Sequence, residues 1–69
     1  MTYTIKQARQ LRGFSQQEMA KKLRVSRGKY RRIEEKPGET QFRTAIEISK
    51  VLNMSLSDID FLANQVYFK

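Results

Sequence analysis

Apolar residues in this chain recur at helical spacing and are interrupted by short polar breaks. Counting Gln16 as position 1, Met19, Ala20, Leu23, Val25, Tyr30 and Ile33 fall at positions 4, 5, 8, 10, 15 and 18. Positions 4 and 8 share one helical face, and 15 and 18 lie one turn apart on a second helix. Val25 plugs the break between them, and Ala20 is small enough for the two backbones to approach closely. The spacing therefore predicts two short helices, 15–23 and 26–34, packed across a tight turn.

Short polar residues mark the helix starts. Thr4 with Gln7 and Ser15 with Glu18 have capping-box spacing, Ser55 is followed by Asp58, and Ser26 can cap with its hydroxyl alone. Phe14 with Met19, Val25 with Tyr30 and Met54 with Ile59 have the spacing of hydrophobic staples. Five helices are expected, at 4–11, 15–23, 26–34, 41–52 and 56–63, with breaks at Gly13, Arg24-Val25, Lys36-Pro37-Gly38 and Asn53. In the fourth, Phe42, Ala45, Ile46, Ser49 and Leu52 form the expected buried stripe. The fold class is all-α: one compact five-helix domain over residues 1–63, then a short tail, 64–69. The tail aromatics Tyr67 and Phe68 have no helical stripe to join, which leaves a dimer contact or disorder.

Size and composition narrow the chemistry. Sixty-nine residues with 39% apolar content support one small core, and oligomerisation is expected to assist it. With no cysteine and no histidine, disulfides, thiolate or imidazole metal sites and imidazole general-base catalysis are excluded. No metal, cofactor or enzymatic activity is expected; the close carboxylate pairs, Glu34/Glu35 and Asp58/Asp60, have no accompanying nucleophile–base set. No stretch approaches the roughly 20 apolar residues of a membrane span, and no signal-peptide core is seen, so a soluble cytoplasmic protein is the expectation.

Charge adds direction. Residues 1–33 carry ten Lys/Arg against Glu18 alone, whereas residues 34–69 are net negative by two. Seven of the basic residues lie between Lys21 and Arg32, across the turn and the second helix of the pair. A helical hairpin whose second helix is basic outside and apolar inside is suited to a polyanion, double-stranded DNA foremost.

The segments Phe14-Ser15-Gln16-Gln17-Glu18-Met19-Ala20, Leu23, Val25-Ser26-Arg27, Arg32-Ile33-Glu34 and Val51-Leu52-Asn53-Met54-Ser55-Leu56-Ser57-Asp58-Ile59 together resemble the Cro/C1-type repressor family of helix-turn-helix proteins. The resemblance covers about residues 4–60 and implies a lambda-repressor-like domain that binds operator DNA, usually as a symmetric dimer, and controls transcription. It implies base contacts from Ser26, Arg27, Gly28 and Arg32, the two arginines being suited to bidentate pairing with guanine. It implies a phosphate contact from Gln16 and approach to the DNA backbone by Lys36 and Arg43; Lys29 and Arg31 are either backbone contacts or solvated charges. Arg9 and Glu34 match a structural ion pair, although Arg9 could instead reach a phosphate.

Three residues depart from the family pattern. Arg24 stands where glycine is usual, Gly28 lies inside the recognition helix, and Tyr30 replaces an aliphatic residue. The alternative function is a protein-interaction module, such as an antitoxin or anti-repressor partner, using the acidic and apolar half. A homodimer, either pre-formed or assembled on DNA, is the expected working unit.

Overall fold

The computed structural model describes residues 2–62. Within them lie four α-helices: α1 (Ile5–Leu11), α2 (Gln16–Leu23), α3 (Arg27–Glu35) and α4 (Phe42–Leu52). Single 3₁₀ turns at Pro37–Glu39 and Leu56–Asp58 complete the regular structure. The helix starts follow local chemistry. Thr4 and Ser15 form reciprocal capping boxes with Gln7 and Glu18, and the Ser26 hydroxyl accepts from Lys29 N at 3.1 Å.

Three helix ends share one device. A left-handed residue follows α1, α2 and α4, at Gly13 (φ 78°), Arg24 (φ 60°) and Asn53 (φ 54°). In each case the next residue's N–H reaches back to a carbonyl five positions earlier: Phe14 to Arg9, Val25 to Ala20 and Met54 to Ser49. This is the Schellman arrangement, which satisfies carbonyls that the helix end leaves unpaired. Glycine adopts the conformation at no steric cost and asparagine tolerates it, whereas Arg24 bears a penalty of roughly 1 kcal/mol. Arg12 adds a second cap to α4, donating from Nε to Leu52 O at 2.7 Å and from Nη2 to Asn53 O at 3.1 Å.

One core joins all four helices. Ile5 and Ala8 of α1, Met19, Ala20 and Leu23 of α2, Tyr30 and Ile33 of α3, and Ile48 and Leu52 of α4 are buried together with Ile59. Phe14, Val25 and Met54, the outer partners of the three staples, are half-buried against this cluster.

Two expectations are corrected. The fifth helix, 56–63, is not formed among the described residues. Tyr3 N donates to Asp58 O at 2.8 Å and Asp60 N donates to Tyr3 O at 2.7 Å, so Ile59 is extended and bridges Tyr3 in parallel. Backbone groups that a helix would pair internally are thus used by Tyr3, ahead of α1. Ser55 accordingly caps only a short turn, accepting from Ser57 N at 3.3 Å. The second correction concerns α4. Its inward stripe is Ala45, Ile48 and Leu52, while Ile46 and Ser49 are half-buried and Phe42 is 72% exposed. Ile48 offers far more apolar surface than Ser49, whose hydroxyl is satisfied by donating to Ile46 O at 2.7 Å. Ala63 and the tail 64–69 lie outside the described residues.

Candidate nucleic-acid interface

The α2–α3 pair presents one apolar and one basic surface. Tyr30 is wholly buried and Ile33 nearly so, which sets the rotation of α3 about its axis. Arg27, Gly28, Lys29, Arg31 and Arg32 are consequently exposed. Arg27 and Lys29 make no ion pair among the described residues. Ser26 uses its hydroxyl oxygen as the helix cap, leaving the O–H proton to donate outward. An ideal Cβ built on Gly28 meets nothing within 4 Å. No neighbour in the described chain requires glycine there.

The C-terminal part of this face is paired. Arg31 Nε lies 3.6 Å from Glu35 Oε2, and Arg32 donates from Nε and Nη2 to Glu39 Oε1 at 3.2 and 3.0 Å. All four side chains are more than half exposed, so each pair contributes about 0–1 kcal/mol and leaves the arginines available to a competing anion. Beside Arg32, a cleft of about 220 Å³ is lined by Lys29, Arg32, Ile33, Lys36, Glu39, Thr40, Gln41 and Thr44. It brings Lys36 to the N-terminus of α4, where Arg43 is exposed and the side chain of Gln41 provides no cap. Thr40 Oγ1 is buried here without a hydrogen-bond partner among the described residues.

Behind the basic face, four donors converge on the Glu34 carboxylate. Arg9 Nε donates to Oε2 at 2.6 Å and Arg9 Nη2 to Oε1 at 3.4 Å. The Tyr30 hydroxyl donates to Oε2 at 2.5 Å, and Gln16 Nε2 donates to Oε1 at 3.0 Å. The Arg9 and Glu34 side chains are only 10% and 5% exposed, so Arg9 is committed to the interior, where Nη1 also donates to Phe14 O at 2.8 Å. Burial by itself raises the Glu34 carboxyl, but the hydrogen bonds from Arg9, Tyr30 and Gln16 and the Arg9 charge outweigh it, holding the group below its ordinary value. Burial and the neighbouring carboxylate push the Tyr30 phenol far above its ordinary value, so it stays a donor throughout the working pH range. Burial opposes the Arg9 charge, while the Glu34 hydrogen bond and charge more than restore it.

Sequence reasoning missed the hydroxyl of Tyr30 and the attachment of Gln16 to Glu34. The first was legible only as a tyrosine at an apolar position, a polar handle that needs a partner when buried. The second left no signal, because eighteen residues separate Gln16 from Glu34.

The site residues are thus an exposed basic helix start, a basic cleft beside α4, and a buried ionic network holding α1, α2 and α3 together. Among the described residues no helix is long and apolar enough to cross a membrane. No curated protein and no solved structure matches the chain. A helix-turn-helix family model matches residues 5–59, which takes in all four helices and both 3₁₀ turns. This chain belongs to the Cro/C1-type helix-turn-helix family, a family of DNA-binding regulatory domains.

Proposed function

We propose that this chain is a sequence-specific DNA-binding transcriptional regulator, acting as a repressor, whose α3 enters the major groove by its N-terminal end. The observation that carries the reading is the first turn of α3, where Arg27, Gly28 and Lys29 are exposed on a helix whose opposite face is buried. Ser26, Arg27, Gly28 and Arg32 face base edges in this reading. A guanine pair with Arg32, worth about 1–3 kcal/mol, outweighs its exposed contact with Glu39. Lys29, Arg31, Lys36 and Arg43 meet phosphates on either side, and Gln16 meets one at the start of α2, where helix N–H groups favour an anion. Arg9 and Glu34 hold α3 against α1.

One recognition helix spans few base pairs, so specificity is assigned to two copies related by a two-fold axis, reading half-sites about 34 Å apart. With no fifth helix among the described residues, the described segment offered to a second copy is the short one ending at Leu62, which is 53% exposed. Titration of the protein against its own promoter duplex and a random duplex at several salt concentrations tests the reading. The expected result is binding of both, a preference for one, and affinity that falls linearly with the logarithm of salt. Sedimentation with a palindromic duplex should give two chains per site, and one chain at saturation refutes the dimer. Absence of any duplex preference would favour a protein partner on the acidic half, where Leu62 is exposed.

A further inference from the structure

We infer that Tyr30 is a positioning residue for phosphate binding: its buried hydroxyl, together with Arg9, fixes the Glu34 carboxylate that orients the Gln16 side-chain amide. The inference rests on the DNA-binding reading above and names a part that the reading lacks. An ionised carboxylate accepts hydrogen bonds and cannot donate them, so Glu34 selects the nitrogen of Gln16 over its oxygen. Nε2 carries two protons. One is committed to Glu34 Oε1 at 3.0 Å, and the other remains for an anion at the N-terminus of α2, where Gln16 is the first helical residue.

Glu34 can orient the amide only if it is itself immobile. Arg9 and Tyr30 grip Oε2 at 2.6 and 2.5 Å, and both side chains are held by the core. An aliphatic residue at position 30 would fill the space but leave the carboxylate one donor short. Tyr30 itself is wholly buried and not accessible from outside; its effect on DNA passes through Glu34 and Gln16.

The test is a double-mutant cycle on duplex affinity with Tyr30→Phe and Gln16→Met, both checked for native helicity. Tyr30→Phe should weaken binding about 3- to 10-fold, the range of one hydrogen bond, with an unchanged salt slope because no charge is lost. In the Gln16→Met background it should add no further loss. Wild-type affinity for Tyr30→Phe, or an equal loss in both backgrounds, overturns the inference while leaving DNA binding intact. If the wild type binds no duplex, the DNA-binding reading falls, and the positioning step is judged on the unbound protein. There, nuclear magnetic resonance should show the Gln16 Nε2 proton that faces Glu34 shifted from the position of a solvated amide and slow to exchange with water in the wild type, and moved toward the solvated position with faster exchange in Tyr30→Phe; unchanged signals overturn it. Tyr30→Met, whose flexible apolar side chain fills part of the ring's space without a hydroxyl, serves as the second variant if Tyr30→Phe does not fold, with the same outcomes deciding.

Discussion

Gly28→Ala separates what the fold requires of α3 from what its partner requires. Gly28 is the second residue of α3, and a methyl group there meets nothing within 4 Å. The substitution therefore creates no clash and removes the conformational freedom that glycine loses on folding. In a helix interior that is about 0.8–1.0 kcal/mol, and somewhat less applies in a first turn. For a domain of this size, 1 kcal/mol moves the midpoint by roughly 4–8 °C, so thermal unfolding followed by circular dichroism should show a Tm several degrees higher. The same methyl projects from the exposed face assigned to the DNA. If Gly28 marks a close approach, an inserted methyl costs about 1–3 kcal/mol at a packed contact. Operator affinity should then fall roughly 5- to 150-fold even as the protein becomes more stable. A Tm that is unchanged or lower refutes the structural argument. A higher Tm with unaltered affinity shows that the partner does not approach Gly28.

The other outcomes follow from the site's geometry. Arg27→Ala and Arg32→Ala should each lower affinity for the preferred duplex by about 1–3 kcal/mol and affect random duplex less; equal losses on both reduce them to phosphate contacts. Lys36→Ala or Arg43→Ala should weaken both duplexes together and flatten the salt slope by about one contact, and an unchanged slope removes the residue from the interface. Glu34→Ala should cost about 3 kcal/mol, the lower end for a broken buried pair, because Arg9 retains its bond to Phe14 O; an unaltered melting temperature contradicts the network. Because the folded Glu34 carboxyl is held below its ordinary value, its contribution is complete above the unfolded carboxylate range and is lost as pH falls through the folded value. The Tm gap between wild type and Glu34→Gln should therefore be widest near neutrality and close in acid, whereas a gap independent of pH contradicts the assignment.

Features that depend on neighbours within a few residues were legible before the fold was known. The caps at Thr4, Ser15 and Ser26 act across three positions, and the break at Arg24 is a local backbone conformation that closes one helix before the next begins. The apolar spacing from Met19 to Ile33 likewise placed the basic face outward, because a helix that buries Tyr30 and Ile33 turns Gly28, Arg31 and Arg32 away from the core, with Arg27 and Lys29 exposed on its flanks. Tertiary structure decided whatever depends on groups distant in the chain. Residues 56–60 carry helical signals, yet Tyr3 captures the carbonyl of Asp58 and the N–H of Asp60, so the segment stops after one 3₁₀ turn and Ile59 is extended. The rotation of α4, which buries Ile48 and leaves Phe42 exposed, was chosen by packing among stripes that the sequence allows almost equally. Gln16 reads as an ordinary first-turn glutamine until folding sets it beside Glu34. Local propensities act without knowledge of the fold, whereas a buried carboxylate is partnered only by the groups that the finished core brings to it.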